Sequence, residues 1–228
     1  MQATLVHIAQ ALPRLGTWLR ALLLAAMLGL CIAAPNLDRV HSLAQERYGQ
    51  RAASTVAAWR VMLEQSRNLG EAEKLEAVNS FFNRRILFED DIVVWQQADY
   101  WATPLEFMGR GAGDCEDYAI AKYMSLLLLG VPNSKLRMIY VRARMGATRS
   151  QAHMVLGYYE QPTDEPLILD NLIGSIRQAS QRNDLSPVFS FNNEGLWVPG
   201  ATASSADPTT RLSRWREVLD RMRQDGFF

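Results

Sequence analysis

Cysteine is nearly missing from this chain: there are two in 228 residues, Cys31 and Cys115. A disulfide-rich scaffold is therefore excluded. Net charge is missing too, with 24 Lys and Arg against 24 Asp and Glu. No strongly polyanionic partner is implied, and no nucleic-acid motif stands out. Histidine is scarce, limited to His7, His41 and His153. The longest apolar run, Ala21–Ala34, falls short of the roughly 20 residues that span a bilayer. What remains is an ordinary apolar fraction of 48%, enough for the core of one globular domain.

The N-terminus reads as an export signal. Arg14 and Arg20 precede the apolar run, and small residues around Ala33 and Ala34 offer cleavage sites. Pro35 disfavours cleavage after Ala34, so the bond after Ala33 is expected. Residues 1–34 are then the signal and 35–228 the mature domain. An uncleaved anchor is the competing reading. Leu30 is a poor neighbour for a lipoprotein signal at Cys31. Export would leave Cys115 as the only thiol, with no internal disulfide. An unpaired thiol in an oxidising compartment flags reactivity.

The stretch Gly109-Arg-Gly-Ala-Gly-Asp-Cys-Glu-Asp-Tyr-Ala-Ile-Ala-Lys-Tyr-Met124 organises the rest. Its three glycines make a sterically open approach. Asp114 reads as a helix N-cap, with Asp117 able to reach back in capping-box style. Apolar residues then recur at helical spacing into Leu126–Leu128. Cys115 thus falls in the first turn, where free N–H groups and the helix dipole favour a thiolate and could cradle an oxyanion. The acidic neighbours Asp114, Glu116 and Asp117 work the other way and raise a thiol pKa unless a cation offsets them. The bland reading is a small buried cysteine behind two capping carboxylates.

From Asn36 to Arg85 the pattern is helical. Ser54 is expected to cap a segment through Val56, Trp59, Met62 and Leu63, which Gly70 ends; a second runs from Glu71 through Phe82. Ile92–Trp95 is expected to be extended, and Asp99–Pro104 a loop. Trp95, Tyr100 and Trp101 either line a groove beside Cys115 or pack beneath the loop. Strands are expected over Leu136–Arg144, His153–Glu160, Pro166–Asp170 and Gly195–Val198. Residues 173–187 read as irregular, and 213–223 as a closing helix with Trp215, Val218, Leu219 and Met222 on one side. His153 at the start of one strand and Asp170 at the end of the next would be cross-strand neighbours.

The order Cys115, His153, Asp170, with the cysteine at a helix start and the others on successive strands, is that of the papain and transglutaminase superfamily. The segments Asp99–Glu106 and Gly109–Tyr123 resemble the bacterial transglutaminase-like cysteine proteinases, and within them the periplasmic proteases of biofilm regulation. The resemblance covers most of the chain beyond the signal. It implies an α+β fold, helices packed on an antiparallel sheet. It implies a catalytic Cys115, His153 and Asp170, and Ca²⁺ bound by Asp114 and Glu116, with Asp117 a further candidate. Other ligands would come from backbone carbonyls, water or side chains of the preceding loop. It also implies cleavage of a large surface adhesin at an N-terminal di-alanine site, which releases the adhesin and disperses a biofilm. The expected partner is the periplasmic domain of a LapD-type inner-membrane receptor for cyclic di-GMP. Two alternatives stay open: another acyl-transfer reaction on the same triad, such as transglutamination or amide hydrolysis, and a non-catalytic calcium-responsive binding module.

Overall fold

The structure, a computed structural model, describes residues 35–146 and 148–228. The expected export signal lies outside the described residues. Helices come first. Asn36 caps α1 (Leu37–Tyr48) by accepting the Arg39 N–H at 2.9 Å. Gly49, at φ 84°, turns the chain directly into α2 (Gln50–Ser66). That left-handed conformation suits glycine, so Gly49 and not Ser54 begins the helix, and Ser54 lies inside it. α3 (Glu71–Arg85) follows, with Glu73 reaching back to the Gly70 N–H at 3.0 Å.

The next segment departs from expectation. After β1 (Leu87–Phe88) comes a single helical turn, α4 (Asp91–Val94), where an extended piece was expected. Its four residues are too few for periodicity to announce. Pro104 opens α5 (Pro104–Arg110), whose N-terminus carries a full capping box: Thr103 Oγ1 accepts the Glu106 N–H, and Glu106 accepts the Thr103 N–H at 2.7 Å. β2 (Ala112–Gly113) pairs in parallel with β1, Leu87 opposite Ala112 and Phe88 opposite Gly113. This small ladder sets the segment leading to Asp91 beside the segment leading to Asp114.

α6 (Cys115–Leu128) is the central helix, and every residue from Glu116 to Leu126 is buried. A helix apolar around most of its circumference belongs inside the protein. It packs against α3 on one side and the main sheet on the other. That sheet contains β3 (Leu136–Met145), β4 (Arg149–Tyr158), β5 (Leu167–Leu169), β6 (Arg177–Gln178), β7 (Leu185–Phe191) and β8 (Leu196–Trp197). The spatial order is β6-β5-β4-β3-β7-β8, antiparallel throughout. The α+β expectation holds.

Strand β7 overturns part of the irregular reading of residues 173–187, since it begins at Leu185 and pairs with β3. Pro187 inside the run argues against a ladder strand. The structure seats it opposite Val141, where the register shifts between Tyr140 and Val141. Such an irregularity tolerates a residue without an N–H. β4 also starts earlier than expected, at Arg149, so His153 sits mid-strand.

The chain closes with a short turn, α7 (Pro208–Arg211), and α8 (Ser213–Asp225), which buries Trp215, Val218 and Met222. Trp59, Phe82, Phe107, Ile120 and Trp215 fill the core between helices and sheet. Buried Asp225 ties the ends together, accepting from Thr103 Oγ1 at 2.8 Å and from Arg47 at 2.8 Å. The C-terminal helix thereby fixes both α1 and the N-terminus of α5.

Candidate active site

Two chain entries converge on the N-terminus of α6. β2 delivers Asp114 and Cys115, while β1 and α4 deliver Asp91. A third strand, β4, brings His153 to the same cleft. That cleft, of about 410 Å³, is lined by Cys115, His153, Trp101, Tyr140 and Phe189, with Arg211 and Arg214 among its other residues. Trp101 therefore faces the cleft and stacks on Phe191 with 5.8 Å between ring centres. Trp95 and Tyr100 pack on each other instead, centroids 4.6 Å apart, with Arg110 over the first and Arg221 over the second. The aromatic segment thus divides between the two expected roles.

The imidazole is firmly held. His153 Nε2 lies 2.8 Å from Asp170 Oδ1, and both residues are buried. Leu156 pairs with Leu169 across β4 and β5. One more step of that register places Asp170 beside Val155, so His153 and Asp170 form a diagonal pair rather than a direct one. Three further groups fix Asp170. The Leu172 N–H donates to Oδ1 at 3.1 Å, and Arg182 Nη2 donates to Oδ2 at 2.6 Å. Asn83 Nδ2 of α3 donates to the Asp170 carbonyl at 2.7 Å. Burial opposes ionisation of this carboxyl, but His153, the Leu172 N–H and Arg182 outweigh it and hold its pKa down to about 2. Arg182 is itself gripped by Asp184, at 3.0 and 2.8 Å.

The thiol sits in the opposite electrostatic setting. Cys115 Sγ donates to Glu116 Oε2 at 2.9 Å. Burial pushes its pKa well up, and the charges of Glu116 and Asp114 push it further; the Met154 N–H opposes them. Among the described contacts, Sγ makes no hydrogen bond to the imidazole. Since Nε2 is committed to Asp170, Nδ1 is the ring nitrogen free for other work.

Asp114 occupies the N-cap position of α6, but its side chain makes no capping hydrogen bond. Asp117 accepts the Ala102 N–H at 2.7 Å. Three carboxylate oxygens are buried without a partner: Asp91 Oδ1, Asp114 Oδ1 and Asp117 Oδ2. Those three residues offer ligand atoms within 4.8 Å of one another, as do Asp91, Asp99 and Glu116. Glu116 also groups with Asp114 and Cys115, so the expected pair Asp114 and Glu116 lies together and Asp91 and Asp99 add to it. Burial, then the neighbouring carboxylates, raise the pKa of Asp114 to about 10; burial also raises Asp91, to about 6. Orphaned, crowded carboxylate oxygens fit a hard divalent cation such as Ca²⁺. A Cβ at Gly113 would overlap Asp117 Oδ2 and approach the Phe107 ring to 2.7 Å, so only glycine leaves room for that carboxylate.

Asp91, Asp99, Arg182 and Asn83 escaped the sequence reading. A side chain of the preceding loop was expected as a ligand source, but α4, which buries Asp91, carried no periodic signal. Arg182 lies in the stretch read as irregular.

Residues 44–198 match the family described as bacterial transglutaminase-like cysteine proteinase BTLCP. Among solved structures, Legionella pneumophila LapG treated with EGTA superposes with a TM-score of 0.73 at 40% identity, covering 83% of this chain and 100% of that one. Calcium-bound Legionella pneumophila LapG gives 0.71 at 41% identity, covering 82% and 98%. A search of the curated proteins gives no match.

The low pKa of Asp170, about 2 against an ordinary 3.8, has a signed consequence. The unfolded chain binds that proton more readily, so the ionised group stabilises the fold above about pH 4, by about 2 kcal/mol, and the gain is lost as pH falls toward 2. Urea denaturation of wild type and Asp170→Asn from pH 5 to pH 2.5 checks this. The stability gap between them is expected to shrink as the pH drops; a constant gap contradicts the assignment.

Proposed function

Because the chain belongs to the bacterial transglutaminase-like cysteine proteinases, we propose that it is a calcium-dependent endopeptidase of the periplasm that cleaves the N-terminal region of a large surface adhesin. The observation carrying this reading is the shared cleft: Cys115 at the first turn of a buried helix opens onto the same space as His153, which Asp170 holds from behind. The likeness to LapG, at 40% identity over the whole of that chain, supports the proteinase reading.

Each residue has a role that its setting suits. Cys115 Sγ attacks the scissile carbonyl carbon. His153 Nδ1 takes the thiol proton and returns it to the leaving amine. Asp170 fixes the tautomer through Nε2 and supports the imidazolium, helped by its own low pKa. The Cys115 N–H, in the first turn of α6, serves the oxyanion. Hydrolysis of the acyl-enzyme then uses the same imidazole as base. Asp91, Asp114 and Asp117 would hold a calcium ion, with Asp99 and Glu116 close by. The bound ion supplies positive charge that offsets these carboxylates and makes a thiolate at Cys115 attainable.

A purified adhesin N-terminal fragment containing a di-alanine site tests the reading. Wild type with calcium is expected to cut it, and cleavage is expected to fall at least about a hundredfold with a chelator. Cys115→Ala abolishes cleavage with the fold retained. Cleavage by that variant would remove the thiol mechanism. Incorporation of an amine into glutamine without peptide cleavage would replace proteolysis with transglutamination.

Control by a LapD-type receptor is part of the same reading. Its docking surface, we propose, includes Leu87 and Phe88 of β1 and Ile92 and Val93 of the turn that carries Asp91, all exposed apolar residues. Ile92→Asp combined with Val93→Asp is expected to weaken binding to the receptor's periplasmic domain about tenfold or more, with substrate cleavage persisting. Unchanged affinity in a binding titration would discard this surface.

A further inference from the structure

The main sheet has a second face, away from α6, and that face is built as a pocket. Ile139, Val141, Val155 and Ile168 form a small buried apolar cluster there, separate from the main core. Over it stands a cavity of about 340 Å³, lined at its sides by Pro162, Thr163, Asp164 and Pro166 and by residues 198–202. Its size and apolar floor suit a small organic ligand.

Arg137 gives the pocket its chemistry. It is 5% exposed, yet no carboxylate lies within ion-pair distance among the described residues. Its guanidinium is sandwiched between Trp197, 4.1 Å from the ring centre, and Tyr159, at 4.7 Å. Its Nε is buried without a hydrogen-bond partner. Across the ladder stands Gly157, where a Cβ would come within 2.6 Å of Ile139 Cδ1. The absent side chain makes room for Ile139 in the floor beside Arg137. Buried cations are ordinarily paired with an anion, because desolvation otherwise opposes burial. Two other charged groups line the cavity. Arg182 already faces Asp170 and Asp184. Asp164 is exposed and accepts the Gln161 N–H at 3.0 Å. Arg137 is the cation left without a carboxylate.

We propose that this pocket binds a small amphipathic carboxylate, its head on Arg137 and its apolar body over Ile139, Val155 and Ile168. The guanidinium offers donors in a fork that matches a carboxylate, and the two rings hold it in place for that contact. Neither Cys115 nor His153 lines this cavity, although Arg182, which holds Asp170, forms part of its wall, and the proposal does not depend on the proposed proteolysis.

Octanoate is the probe, with 1-octanol as its uncharged match. Methyl resonances of Ile139, Val155 and Ile168 are expected to shift saturably with octanoate, while Ile120 in the main core stays still. Octanoate is expected to bind about tenfold more tightly than 1-octanol, and Arg137→Met to remove that preference. Equal affinity for acid and alcohol in wild type would overturn the proposal. So would saturable shifts confined to residues outside the pocket, or no saturation below 10 mM, an upper bound on the order of the weakest specific binding. The methyl shifts decide the matter even if Arg137→Met does not fold. A surface used only by a protein partner would show as a pocket blind to octanoate.

Discussion

Mutual repulsion among carboxylates at the start of α6 is the constraint on which the site depends. Asp91, Asp114 and Asp117 bring orphaned oxygens together in a buried space, with Glu116 and Asp99 alongside. Desolvation and like charge both oppose ionisation there, which is why Asp114 is pushed up to about 10. Cys115 shares that field, so its thiol is pushed the same way. A nucleophile in such a place needs positive charge from outside the helix. A bound cation would supply it, and the β1–β2 ladder is the device that brings Asp91 within range. Gly113 belongs to the same arrangement, because any side chain there would displace Asp117.

On the other side of the cleft the problem is the reverse. Asp170 is buried yet ionised, and three groups keep it so: His153 on β4, the Leu172 N–H and Arg182 after β6; Asn83 on α3 holds its backbone carbonyl in place. The result is one acidic group with a strongly lowered pKa and one with a strongly raised pKa flanking the same cleft. Divergent environments of this kind separate the roles of chemically similar side chains.

Much of this was legible in the sequence. The glycine-rich approach, the acidic run around Cys115 and the apolar helix after it are local features, and each appears where spacing puts it. The strand carrying His153 and the strand that ends just before Asp170 were readable from short apolar runs. What escaped depends on long-range placement. Asp91 matters only because a single turn buries it, and Arg182 only because the chain folds back after β6. Strand β7 hid behind Pro187, which the register shift against β3 accommodates. Ser54 looked like a cap because its residue type fits one; the left-handed Gly49 starts the helix five residues earlier. Residue type alone cannot distinguish these cases, because tertiary contacts decide them.

Calorimetric titration of calcium into the purified domain, comparing wild type with Asp91→Asn, Asp117→Asn and Asp170→Asn, tests the central claim most directly. One ion is expected to bind wild type and Asp170→Asn alike, with affinity falling at least about tenfold in Asp91→Asn and Asp117→Asn. Calcium binding indifferent to Asp91 and Asp117, or no binding to wild type, would contradict it and leave the buried carboxylates at α6 without a counter-charge.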